Sequence, residues 1–469
     1  MRALVAVALV VALGASARAA DEVQIPPITR VTLDNGMRLV VAETHELPLV
    51  EIYVMVGAGA AQDPAGKEGL AQLVAATLTH GAGELDAPAF SRTVERLGGS
   101  IAAAAGTDGT IVSAEFLSED FDRAINLVRD VLREPRFEKD EVRRARDEQL
   151  ADLVAGLEEP SEIAERCYQA FVYGTYPYGR PQDGVRASVE DLDRGDVQDF
   201  WSQWYAPNGV VFAVVGDVRA ETAVATLRQA FGDWPARADA VPQRAGPPAP
   251  VASRRVLLVD KPDATQTQIR AGGIAMRRAD PELLPSNVAN TMLGGGFTSK
   301  LVEELRIKRS LTYGAQSAFA ARLTGGDFRL ATFTKSRTTD EALALLLQVE
   351  DEFRHATPDA KTLAKAKAYL RGQFPLKVET PDALAARLAE IEFFGLPKDE
   401  LSTYRARVAA VTASEAAAMA AKWMPGPEHL AIVVVGPAAS LRAPLEARYG
   451  AVQVTTPEGC DALAAPKAE

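Results

Sequence analysis

Apolar positions along this chain alternate between short strand-like runs and longer stretches of helical period. VTLDNGMRLVVAE (31–43) and LVEIYVMVGAG (49–59) read as strands, the first folded at Asp34-Asn35-Gly36. Leu70, Leu73, Val74, Thr77 and Leu78 then recur at i, i+3, i+4, i+7 and i+8, which predicts a helix over 68–79 with one buried face. Gln72, Ala75 and Ala76 share another face of it. A second helix with Phe90, Val94 and Leu97 inward stops at Gly98-Gly99. Strands SIAAAAG and TIVSAEFL flank Thr107-Asp108-Gly109, long helices fill roughly 118–170, and VVFAVVGDV is a closing strand.

The same order then returns. RVLLVD and TQIRAGGIAM read as strands, and 281–293 as a helix. Gly294-Gly295-Gly296 leads into the helix SKLVEELRIKR. YGAQSAFAA and DFRLATFTKS follow as strands, then helices over 339–396 and the strand LAIVVVGPA. The helix–strand endings correspond as well: DVQDFWSQWY before VVFAVVGDV, EAAAMAAKWM before LAIVVVGPA. An internal repeat of this length predicts a duplicated α+β fold, two homologous domains each made of an antiparallel sheet with helices packed on one face. The domains span 21–235 and 254–455, joined by a Pro/Ala-rich linker at 236–253 and followed by a flexible tail at 456–469.

Composition narrows the function classes. With 469 residues, 47% apolar and 24% charged, the chain is an ordinary globular protein of more than one domain. A net charge of −12 without a Lys/Arg cluster argues against a nucleic-acid partner. Residues 1–20 pair Arg2 with an apolar run and Ala17-Arg18-Ala19, the pattern of a cleavable signal peptide for secretion, into a periplasm. The run is too short to span a bilayer, and its removal would take the charge to −14 by loss of Arg2 and Arg18. Cys167 and Cys460 are the only cysteines. Cys460 falls in the loose tail, so the two are not expected to pair.

Candidate chemistry is sparse. GGGFTSK lacks phosphate-loop spacing, and reads as a flexible loop before a helix capped by Thr298 or Ser299. His45, His80, His355 and His429 are too far apart for H-E-x-x-H or H-x-x-E-H. His80 suits the C-terminus of its helix. Asp147, Glu148 and Asp152 lie beside Arg143, Arg144 and Arg146 and suit a solvated charged face. Arg309 and Tyr313 follow the glycine loop directly. An Arg fork can hold a peptide carbonyl or carboxylate, and a phenol can donate to an oxyanion.

The order LDNG, EGLAQLV, YGTYPYGRP, WYAPNGVVFAVVGDV and LGGGFTSKLVEELRIKRSLTYG resembles the pitrilysin/insulinase-like zinc metallopeptidases of the two-domain, processing-peptidase type, from about Val31 to Gly450. Active members carry H-x-x-E-H on the helix that here contains EGLAQLV. The resemblance places the two histidines at Gln72 and Ala76, the glutamate base at Ala75, and the third zinc ligand near Asp152. Gln and Ala cannot replace imidazole at zinc, and Ala75 cannot activate water. The resemblance therefore implies a non-catalytic member with no zinc or other cofactor of its own. Arg309 and Tyr313 match the pair that grips substrate and polarises the scissile carbonyl, with Gly294, Gly295 and Gly296 presenting peptide. Such a chain is expected to serve a zinc-bearing homologous subunit in a heterodimer. The alternatives are a stand-alone peptide-binding or scaffold protein and, less favoured, a peptidase with another zinc site.

Overall fold

The computed structural model describes residues 24–240 and 245–464. The expected signal peptide, part of the linker and the last five residues of the tail lie outside the described residues.

Among the described residues, twelve strands form the two main sheets. The first sheet contains β1 (Ile28–Thr32), β2 (Arg38–Glu43), β3 (Leu49–Val56), β4 (Ser100–Ala105), β5 (Thr110–Leu117) and β6 (Val210–Gly216), in the order β1-β2-β6-β3-β5-β4. The second contains β7 (Arg255–Asp260), β8 (Gln266–Ala275), β9 (Ala315–Ala321), β10 (Gly326–Lys335), β11 (Ala431–Gly436) and β12 (Val452–Thr455), in the order β9-β10-β8-β11-β7-β12. Read from the matching edges, β2-β6-β3-β5-β4 and β7-β11-β8-β10-β9 are one five-strand motif used twice. Most neighbours are antiparallel, but β2–β6, β7–β11 and β7–β12 run parallel.

The duplicated α+β fold predicted from the chain is the one observed, with an addition that the turns do not announce. Both faces of each sheet are covered. On one face of the first sheet, Val210, Phe212 and Val214 of β6 join a core with α1 (Leu70–Thr77) and the other helices of the first half. On the other face, Val211, Ala213 and Val215 pack against Leu384, Leu388 and Ile391. Those three residues belong to a helix of the second half, residues Pro381–Phe394.

The second sheet is treated the same way. Ala431, Val433 and Val435 of β11 pack against Ile163, Cys167 and Phe171 of the first-half helix Pro160–Tyr173. The two helices occupy corresponding places in the repeat, so each half lends its partner one helix. We label the helices used below α1, α2 (Lys139–Gly156), α3 (Pro160–Tyr173), α4 (Leu283–Asn290) and α5 (Pro381–Phe394).

This exchange corrects two expectations. The described part of the tail, 456–464, is not loose: directly after β12, Glu458–Leu463 forms a further turn with Cys460 fully buried. Cys167 and Cys460 do form a disulfide, across 293 residues of sequence. The reason is tertiary, because α3 carries Cys167 over to the second sheet, against which Cys460 packs. Among the described residues no helix is long and apolar enough to cross a membrane.

Candidate functional site

The lead-in to α1 is held by Asp63, whose buried carboxylate accepts bonds from the backbone N–H groups of Gly69 and Ala71, both at 2.8 Å. It satisfies donors that the helix start leaves open, since Gly69 has no side chain to cap with. Burial pushes the Asp63 carboxyl up to about 8, against the pull of the two backbone donors. Gly69 is required twice over. Its φ of 93° is left-handed, and a Cβ there would stand 2.7 Å from Gln149 Nε2 and 2.8 Å from the Asp183 carbonyl.

Gln149 on α2 fastens this corner. Its Nε2 donates to the carbonyls of Gly69 at 3.1 Å and Asp183 at 2.8 Å. Arg180 Nη1 reaches the Asp63 carbonyl at 2.8 Å. These bonds fix α1, α2 and the 180–184 loop around a cleft of about 560 Å³, whose walls include Gln72, Ala76, Glu148, Asp152, Arg166 and Asp183. Sequence reasoning passed over Gln149 and Asp63. Polar residues at helix-facing positions were the available cue, but only the packing shows that both are buried.

The predicted positions divide. Gln72 and Ala76, one turn apart, both reach the cleft, and so does Asp152 with Glu148 one turn before it. Ala75 does not: it is 1% exposed and packs inward, so it does not share the face of Gln72 and Ala76 as expected. The offset of three residues swings it about 60° from Gln72, far enough to enter the core. Among the described residues no group of three or more His, Cys, Asp or Glu side chains is placed to hold a metal ion. An amide and a methyl group beside Asp152 do not make a tetrahedral zinc site, so zinc does not fit here.

His80, at the end of the α1 segment, stands 3.3 Å from Glu141 Oε2. Burial lowers its pKa, with Glu141 opposing. It is held towards the neutral form, contrary to a role as a cation on the helix end. The arginines of α2 pair outward, Arg143 with Asp140, Arg144 with Glu141 and Arg146 with Asp147. Asp147 thus lies on the expected charged face, while Glu148 and Asp152 turn to the cleft.

Arg309 and Tyr313 lie elsewhere. They are absent from the cleft walls and exposed, Tyr313 by 80%. The backbone around them is unusual. Wide π-type turns occupy Thr291–Gly295, which takes in the first two loop glycines, and Val302–Lys308 beyond the loop, and such turns gather at functional sites. Ser310, between the pair, has φ 53°, a left-handed conformation uncommon outside glycine.

Tyr313 is presented by a fixed frame. Thr312 Oγ1 donates to the Gly314 carbonyl at 2.9 Å, and so does Thr332 Oγ1. Phe297 and Ile307 nearby in sequence are 73% and 67% exposed, with the Arg306 guanidinium 5.5 Å over the Phe297 ring. Of the three glycines, Gly294 is buried and packs against Ser317, so only Gly295 and Gly296 remain on the outside. Ser299 begins the helix through its backbone carbonyl, yet its hydroxyl makes no capping bond.

Two models of one family match successive parts of the chain: "Insulinase (Peptidase family M16)" over residues 38–183 and "Peptidase M16 inactive domain" over 191–370. The chain belongs to the insulinase (M16) peptidase family. Among relatives, it is 29% identical over 423 residues to an uncharacterized zinc protease of Mycobacterium tuberculosis, covering 88% of this chain and 94% of that one. It is 25% identical over 360 residues to a non-peptidase homologue, YmxG, of Helicobacter pylori, covering 76% and 82%. The crystal structure of a peptidase M16 inactive domain from Pseudomonas fluorescens superposes with a TM-score of 0.81 at 27% identity, covering 87% of this chain and 98% of that one. With Gln72, Ala75 and Ala76 where an M16 peptidase needs its ligands and base, this is a non-catalytic M16 member.

Proposed function

We propose that this chain is the substrate-gripping subunit of a secreted heterodimeric zinc peptidase, acting with a homologous partner that holds the metal. One observation carries the reading. The first half has an emptied zinc helix, while Arg309 and Tyr313 are solvent-exposed and do not line the cleft beside that helix. A pair so exposed is open to a peptide or to a partner's site, which supports a contribution in trans. Gly295 and Gly296 lie beside it and can approach an extended peptide backbone closely. The Cys167–Cys460 bridge supports an oxidising compartment such as a periplasm, in keeping with the leader-like first twenty residues.

In this arrangement Tyr313 would donate a hydrogen bond from its phenol to the charge that develops on a scissile carbonyl, and Arg309 would hold a peptide carbonyl or carboxylate. Alone, the chain should contain no stoichiometric zinc and cleave no peptide, as metal analysis and a peptide digest would show. In the reconstituted heterodimer, Tyr313→Phe should lower kcat by ~10²–10³-fold, about 3–4 kcal/mol, with assembly unchanged. Arg309→Ala should raise KM as well. Wild-type rates from both variants would leave a peptide-binding scaffold as the better account.

A further inference from the structure

The wall of the cleft is tied to the far end of the chain. In the C-terminal turn Glu458–Leu463, Asp461 Oδ1 accepts a 2.7 Å bond from Arg166 Nε. Its neighbour Cys460 is bonded to Cys167, one residue along α3 from Arg166. Arg166 is itself part of the cleft wall, and its Nη2 donates to the Gly184 carbonyl at 3.0 Å. The adjoining Asp183 carbonyl takes the bond from Gln149, which also grips Gly69 at the start of α1. A continuous series of contacts therefore runs from the tail through Arg166, the 180–184 loop and Gln149 to the helix carrying Gln72 and Ala76.

Nothing in that series is slack. Arg166 and Asp461 are 17% and 25% exposed, and both cysteines are fully buried. Gly184, at φ 83°, is seated so closely on the Glu68 carbonyl that any side chain would collide. The described part of the tail, by contrast, is a single short turn, Glu458–Leu463, with Cys460 and Leu463 packed on the core of the second sheet.

We infer that the C-terminal turn is a brace for the cleft, and that the Cys167–Cys460 bond makes the shape of the cleft dependent on redox state. With the bond intact, Asp461 is confined beside Arg166, and the guanidinium is held between a carboxylate and the Gly184 carbonyl. A dithiol reductant supplies two electrons and two protons. The Sγ–Sγ bond breaks, two thiols form, and the dithiol becomes a disulfide. The tail then leaves and Arg166 loses its carboxylate partner. Glu162 and Asp183, neighbouring carboxylates on the cleft wall, can then draw it inward. Arg166 and Asp461 are positioning residues in this scheme.

Hydrogen exchange on the full chain tests it. Peptides covering 180–186 and 66–73 should exchange at least about tenfold faster in Cys460→Ser and in dithiothreitol-reduced protein. Asp461→Asn, which keeps the bridge, should accelerate the same peptides by a smaller factor. Peptides from β3 and β6 should not change in any of the three. Should Cys460→Ser fail to fold, Asp461→Asn and the reduced wild type carry the test. Faster exchange at 456–464 with 180–186 and 66–73 at wild-type rates would overturn the brace and leave the bond a local staple.

Discussion

The two halves of this molecule share a five-strand motif and differ most where a helix ends. In the first half α1 runs cleanly from Gly69 to Thr77, anchored by Asp63, and shows Gln72 and Ala76 to a cleft. In the second half α4 does not stop at Asn290. It widens into a π-type turn, passes through Gly294–Gly296 and resumes as a second π-type segment that ends at Arg309. The cores beneath are alike, with unbroken apolar strands at the centre of each sheet. Function in a duplicated fold can therefore be redistributed without disturbing the scaffold. One copy keeps a shaped cleft with its metal ligands gone, and the other keeps an exposed Arg/Tyr pair.

The comparison breaks most severely if the halves are separated. Each half alone would leave an apolar sheet face bare, the Val211–Val215 face in one and the Ala431–Val435 face in the other. Residues 24–240 and 245–464 expressed apart should fail to give cooperative unfolding by circular dichroism, and co-expression should restore it. A cooperative transition from either piece alone would show that the lent helices are dispensable.

The lent helices can next be compared directly. Leu388→Ala in α5 and Phe171→Ala in α3 each remove a buried side chain that bridges the halves. Losses of about 2–5 and 3–5 kcal/mol are expected in denaturant titrations, each in one transition for the whole chain. Two separate transitions would mean that the halves unfold independently.

A third test restores chemistry to the first half. Gln72→His with Ala75→Glu and Ala76→His should create metal binding near Asp152, read by calorimetry with zinc. Activity is expected to lag, because Ala75 faces the core and a glutamate there must first turn outward. No zinc uptake by the triple variant would mean that α1 no longer presents its old face.

The smallest effect is in pH. Burial pushes Asp63 and Glu350 up to about 8, and Glu51, facing Glu115 across β3 and β5, to about the same value. The folded chain thus keeps protons that the unfolded chain gives up near 4. The stability these groups add is complete below about pH 4 and is lost as pH rises through about 8. Melting temperature should therefore carry a downward slope between pH 4 and 8 from this source. Asp63→Asn in the first half and Glu350→Gln in the second should each flatten it, and an unchanged slope in both would refute the assignment.

Much of the fold was legible because its causes are local. Asp34-Asn35-Gly36 makes a turn whatever lies around it, the 3.6-residue period marks α1, and the repeated order of elements reveals the duplication. Gln72, Ala76 and Arg309–Tyr313 were singled out by the resemblance to a family's motifs, not by a local cause. VVFAVVG and AIVVVG held a further clue, because a strand apolar at every residue must be covered on both faces. Which helices would do the covering was not written there.

What the sequence by itself determined is the order of the main strands and helices and the residue types that forbid zinc on α1. These follow from short-range backbone preferences and from the donor atoms each side chain carries. Only the tertiary structure decided that α3 and α5 cross to the opposite half, that Cys167 therefore meets Cys460, that Ala75 turns inward, and that Arg309 and Tyr313 are exposed rather than part of the cleft wall. The physical reason is that burial of a sheet face is non-directional and can be met by any apolar helix of the right length. The choice among them rests on contacts hundreds of residues apart, which no local pattern encodes.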